Sequence, residues 1–263
     1  MKEATVKKLT PGLIVLLGSG ETLPSSGNTH EFVAKNLPVS PKIAILETPA
    51  GFELNADKVA ERIGDFLKVR LQNYAPEIIQ IPARKKGTEF SPDNFEIVKP
   101  LLHADEILLG PGSPTYAVRQ LKDSLLLELI KARHRMGTAL VLSSAATLAF
   151  GRFTIPVYEI YKVGEDETFD LEELGEISIP EEDQGINPQV WQQAVDAQEA
   201  LRLEMLEASE PPQSVLSILE KRKSARAAEE WAEADALREE IEALGWKVLD
   251  KPEGAELIPM EQK

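Results

Sequence analysis

Cysteine is absent from all 263 residues. That excludes disulfides, thiolate catalysis, Fe–S clusters and Cys-based zinc sites. Histidine is scarce: His30, His103 and His134 stand far apart, so a His-rich metal centre is not expected. No metal and no other cofactor is called for. No apolar run approaches the roughly 18 residues of a membrane span. The opening residues, MKEATVKKLTPG, are too polar for a signal peptide. The expectation is a soluble, cytoplasmic chain with no membrane partner. Two nucleotide signatures are also missing. Gly18-Ser19-Gly20 is followed by Glu-Thr-Leu-Pro rather than completing G-x-G-x-x-G, and no Gly-Lys-Ser/Thr triplet occurs.

What is present suffices for a core: 43% of residues are hydrophobic and 28% charged. The net charge of −15 is unevenly placed. Residues 1–160 hold 19 Lys+Arg against 17 Asp+Glu, and residues 161–263 hold 10 against 27. An acidic field of that size repels nucleic acid and anionic membranes at long range.

The first part alternates between two periods. Short apolar runs at 13–17, 42–47, 77–81, 106–109 and 138–142 suit strands covered on both faces. Helical spacing lies between them, over 53–71 and 115–131. This alternation predicts an α/β fold: an open, mostly parallel sheet with helices on both faces. Such sheets bind ligands beyond the C-terminal ends of their strands. Four runs end there in small residues: GSGE (18–21), TPAG (48–51), GPGSPT (110–115) and SSAAT (143–147). Glycine lets backbone N–H groups approach a ligand, which suits a carboxylate, a phosphate or an oxyanion. Ordinary βα turns have the same composition.

Ser144 follows one such run and precedes the small residues Ala145-Ala146-Thr147. A nucleophile elbow needs that setting, with adjacent amides as an oxyanion hole. Capping of the next helix by Ser143 or Ser144 is the alternative.

The stretches LLGSGE (16–21), GPGSPTYAVRQL (110–121), VLSSAATLAFG (141–151) and PVYEIYKVGED (156–166) resemble the cyanophycinase and aspartyl-dipeptidase serine peptidases, which share the class I glutamine-amidotransferase-like fold. The resemblance implies Ser144 as nucleophile, oxyanion or ligand contacts from Gly18, Ser19, Gly20, Gly110, Gly112, Ser113 and Ala145, and small acidic peptides or amides as ligands. The family's Gly-x-Ser-Ala-Gly falls on Leu142 to Ala146, so both glycines are replaced. The family's histidine follows the serine, whereas no histidine follows Ser144 here. His30 is the one histidine placed at the cleft end of the sheet, and Lys162 is a second candidate base; Glu159 and Lys162 equally suit structural roles in a strand. A degenerate or repurposed hydrolase is therefore the expected state.

Residues 1–180 are assigned to this α/β domain, and 181–263 to an acidic helical tail. In the tail, helices are predicted from Pro188 to before Pro211, over 213–228 and over 230–244. Gly245 closes the last, and strand-like pieces follow at 246–249 and 255–258. The pattern Arg222, Ala225-Arg226, Trp231, Ala234-Asp235, Arg238, Gly245, Asp250 and Gly254 resembles the C-terminal helical region of bacterial cysteinyl-tRNA synthetases. The synthetase's HIGH and KMSKS-type motifs are absent, so the whole chain is not such an enzyme. Lys221, Arg222, Lys223 and Arg226 form a local basic cluster that could meet phosphates. The acidic surroundings argue against RNA and for a solvated face, packing on the body or a homodimer contact. A scaffold or RNA-associated module working through these helices is the alternative to the hydrolase.

Overall fold

The computed structural model describes residues 10–152, 154, 185–209, 211–228, 230–251 and 254–260. The candidate bases Lys162 and Glu159 lie outside the described residues. By its internal packing the chain divides into two compact units, Met1–Gln198 and Glu199–Lys263.

The first unit is built on five strands: β1 (Ile14–Leu17), β2 (Lys42–Leu46), β3 (Glu77–Ile81), β4 (Glu106–Leu109) and β5 (Ala139–Ser143). All pair parallel, in the order β1-β5-β4-β2-β3. Helices α1 (Gly27–Ala34), α2 (Ala56–Arg70), α3 (Phe95–Val98), α4 (Pro114–Leu121), α5 (Leu125–Arg135) and α6 (Ala145–Ala149) accompany them, and α7 (Pro188–Ser209) begins in this unit and crosses its limit at Gln198. Strand alternation sends successive side chains to opposite faces, and two cores result. Ile43, Ile45, Leu108 and Val141 pack with Val33 of α1 and Ile63 and Leu67 of α2. Ala44, Leu46, Ile107, Leu109 and Leu142 pack with Val118 and Leu121 of α4 and Leu126 and Ile130 of α5. The apolar runs of β4 and β5 are buried throughout because helices cover both faces.

The pattern read as one helix over 115–131 is two. Asp123 takes a positive φ of 54°, and the Ser124 hydroxyl accepts the Leu127 amide at 3.1 Å to start α5. Ile186, Val190 and Ala194 join the first unit's core, beyond the linker from which the sequence placed the boundary. At the head of β4, Glu106 is fully buried, and neither carboxyl oxygen has a partner among the described residues. Burial pushes that carboxyl up to about 8, so it is held largely protonated at neutral pH.

The second unit contains α8 (Gln213–Ala227), α9 (Trp231–Ala243) and the antiparallel hairpin β6 (Trp246–Lys251) and β7 (Gly254–Pro259). Gly245, at a positive φ of 83°, turns the chain from α9 into β6. Val215, Ile218 and Leu219 of α8 meet Ile241, Trp246 and Val248 in a small core. No described helix is long and apolar enough to cross a membrane.

Candidate functional site

The strand order brings the turns after β1, β5, β4 and β2 to one edge of the sheet. Ser144 stands at the end of β5 with φ 52° and ψ −116°. A non-glycine residue in that region is strained. The surroundings hold it there. Its amide donates to Gly18 O at 2.8 Å and also meets Leu17 O at 3.2 Å. The Thr147 hydroxyl reaches Leu17 O at 2.6 Å and Leu142 O at 2.9 Å. The Ser143 hydroxyl, fully buried, donates to the Glu21 carboxylate at 2.9 Å. Thus neither serine hydroxyl caps α6, and the chain turns sharply from strand to helix at Ser144.

Ser144 lines two cavities. One, of about 410 Å³, is walled by Ala50, Phe52, Glu53, Asn55, Val59, Pro111 and Gly112. The other, of about 300 Å³, is lined by Gly18, Ser19, Gly112, Pro114, Ala145, Thr147 and Leu148. The 48–51 and 110–113 turns meet backbone to backbone. The Ser113 amide donates to Pro49 O at 2.9 Å, and a Cβ on Gly112 would stand 1.9 Å from that same oxygen.

The expected site residues therefore separate. Gly18, Ser19, Gly112, Ser144 and Ala145 share the smaller cavity. Among the described residues no turn or loop hydrogen bond uses the Ser19, Gly112 or Ala145 amide as donor. The Ser113 amide is engaged by Pro49, and its buried hydroxyl accepts the Tyr116 amide to cap α4. Gly20 and Gly110 line neither cavity. Gly20 shapes its turn through a positive φ of 92°, and its carbonyl accepts from the Ser26 hydroxyl.

His30 is buried in α1 and lines neither cavity. One ring N–H donates to the Glu21 carbonyl at 3.0 Å, and the ring meets Phe66 edge-on. Burial pushes its pKa down, against the raising effect of that hydrogen bond and of the Glu21 charge. No hydrogen bond joins the Ser144 hydroxyl to a described residue. Among the described residues no group of three or more His, Asp or Glu could hold a metal. Sequence reasoning missed Phe52, Glu53 and Asn55 as a cavity wall, because they sit in an unremarkable stretch before α2.

The second unit has its own polar constellation. Arg222, which the sequence grouped with phosphate-facing cations, is 2% exposed. Two of its N–H groups donate to the two carboxylate oxygens of Asp250 on β6, both at 2.9 Å. Arg226 donates to the same carboxylate at 2.7 Å. Its guanidinium carbon lies 5.9 Å from the ring centroid of Trp231, which opens α9 and is 58% exposed. The hydrogen bond from Arg222, with the charges of both arginines, holds the Asp250 carboxyl down to about 2. Lys223 pairs with Glu220 one turn earlier. The supporting carboxylate lies 24 residues beyond Arg226 in the chain, so helical spacing could not reveal it.

Residues 209–256 match the family model of the cysteinyl-tRNA ligase anticodon binding domain. Cysteine–tRNA ligase 1 of Burkholderia lata is 45% identical over 53 residues, which are 20% of this chain and 11% of that protein. The cysteine–tRNA ligase of Salinibacter ruber is 49% identical over 49 residues, 19% of this chain and 10% of that one. The chain thus spans about a tenth of the length of these curated relatives. The second unit resembles their C-terminal, anticodon-binding region. A crystal structure of a peptidase from an acI-B1 actinobacterium is 22% identical, with a TM-score of 0.48, covering 56% of this chain and 60% of that one. This is a weak structural similarity to a peptidase fold.

Proposed function

We propose that this chain is an RNA-associated module whose second unit binds an unpaired RNA loop. The observation that carries the reading is the exposed Trp231 ring with the Arg226 guanidinium beside it, on the segment that resembles an anticodon-binding domain. Single-stranded RNA is recognised largely by bases stacking on aromatic rings and guanidinium planes, worth about 1–3 kcal/mol per base. The acidic composition does not forbid this. At physiological salt, exposed charges more than about 8 Å away are largely screened. Affinity then comes from stacking rather than from a basic track.

The test is fluorescence anisotropy of a labelled hairpin RNA with an unpaired loop. Binding is expected to the loop and not to a blunt duplex of the same length. It is expected to fall about tenfold or more in Trp231→Ala, one stacked base being worth that much. The salt dependence is expected to be shallow, each phosphate neutralised contributing about −0.7 to the slope for single strands. Equal binding to duplex and loop, or a Trp231→Ala variant as good as the parent, would overturn the reading.

A second reading concerns the first unit and rests on the strained backbone of Ser144. On this reading the unit keeps the glutamine-amidotransferase-like fold of the cyanophycinase and dipeptidase group. Its cleft takes a small acidic peptide or amide, whose oxyanion or carboxylate would meet the Gly112 and Ala145 amides. Turnover requires a base against the Ser144 hydroxyl, and no described residue supplies one. A fluorophosphonate probe addresses this directly. Labelling lost in Ser144→Ala marks an activated serine; no labelling leaves a binding cleft without hydrolysis.

A further inference from the structure

Arg222 is nearly without solvent exposure, yet both oxygens of its partner carboxylate lie within hydrogen-bonding distance, forming a two-pronged fork with Asp250. Such a fork fixes the plane and position of the carboxylate. One of the same oxygens also accepts from Arg226 at 2.7 Å. Arg226 is 41% exposed at its side chain and sits at the end of α8, where an unrestrained arginine would sample many rotamers. Its guanidinium instead stands over the Trp231 ring, 5.9 Å from the centroid. The order of support runs from the core outward: Arg222 fixes Asp250, Asp250 fixes Arg226, and Arg226 flanks the ring.

We propose that Asp250 is a positioning residue for base stacking: it need not touch the RNA, and it acts by holding Arg226 beside Trp231 before any ligand arrives. This inference rests on the RNA reading of the second unit. Its chemical content is preorganisation. A side chain already ordered in its bound position loses no further freedom on binding. A carboxylate next to the path of a polyanion would otherwise only repel it. The arrangement therefore makes an unusual statement: removing a negative charge should weaken RNA binding.

The experiment is a double-mutant cycle on the full chain, with the same labelled hairpin RNA, using Asp250→Asn, Arg226→Gln and the pair. Asp250→Asn is expected to weaken binding about fivefold. In the Arg226→Gln background the same change is expected to have no effect, because the group it positions is gone. An equal loss in both backgrounds, or tighter binding of Asp250→Asn, would overturn the positioning role. Full chain labelled with 5-fluorotryptophan supplies the second measurement, with the Trp231 resonance assigned from Trp231→Phe. That resonance is expected to shift in Asp250→Asn without RNA, as the guanidinium leaves the ring, while the Trp246 resonance from the core stays in place. A Trp231 resonance that does not move overturns the proposal. Loss of the Trp246 dispersion would mark unfolding, and Arg222→Lys then takes the place of Asp250→Asn, with the same two readouts and the same expected signs. If the parent chain binds no hairpin, the RNA reading falls, and the fluorine shift alone decides whether Asp250 positions Arg226.

Discussion

In the first unit Glu106 is buried with no described partner, and burial keeps its carboxyl protonated. In the second, Arg222 is just as buried but ionised, because Asp250 meets it with both oxygens. One unit silences a charge by protonation; the other keeps the charge and uses it to order the surface above. The same contrast marks the candidate sites. Ser144 has a strained backbone but no described base. Trp231 has no reactive chemistry but has its flanking cation fixed in place. The Ser144 turn is held by backbone contacts, with Leu142 and Ala146 at the positions where a Gly-x-Ser-Ala-Gly elbow would carry glycine. On the RNA reading, the Trp231 surface depends instead on the side chains set beside it.

The largest effect should come from Glu106. Its folded pKa, about 8, exceeds the ordinary carboxyl value of 4.5. Folding therefore takes up a proton. The associated stability is complete below about pH 4.5 and is lost as pH rises toward 8, by about 1.4 kcal/mol per pH unit between those limits. Urea unfolding of the full chain at pH 5 and pH 8 should show the first unit's transition weaken by about 4 kcal/mol more in the parent than in Glu106→Gln. Equal slopes would mean that the carboxyl is ionised and partnered.

Breaking the other charge tests the second half of the contrast. Asp250→Asn strands a buried guanidinium. Because Asp250 is itself partly exposed, the expected loss is about 2 kcal/mol, below the range for a fully buried pair. The sign with pH is opposite to that of Glu106. Asp250 is held down to about 2, so its contribution is present above about pH 4 and lost as pH falls through 2. Acid titration of the second unit's thermal midpoint should show that loss in the parent and not in the variant.

The smallest effect concerns strain. Ser144→Gly should raise the first unit's stability by about 1 kcal/mol, because glycine tolerates this backbone region. Ser144→Ala keeps the strain and should change little. A thermal scan that ranks the two equally would mean that the elbow is relaxed.

Much of the fold was legible in the sequence. All five strand runs of the first unit appear within a residue or so of their expected places, because two-sided burial leaves a plain apolar signature. The helices and hairpin of the second unit follow, since Pro211-Pro212 and Gly245 punctuate them. The break at Lys122–Ser124 was missed, because the apolar spacing continues across it while only Asp123 turns the chain. At the sites, residue type misled more than position did. Arg222 reads as a surface cation until its partner, 28 residues on, is brought beside it. Ser113 reads as an anion contact until Pro49 takes its amide. Such pairings are tertiary facts, invisible to local spacing.

The contact between Gly112 and Pro49 bears on how the cleft can move. Turns from two different strands are joined there by a hydrogen bond and by a backbone approach that leaves no room for a side chain. They form one mechanical part, like two panels sharing a rivet. A guest in the smaller cavity would meet Gly112 of this joined pair together with Ser19 and the half-exposed Leu148.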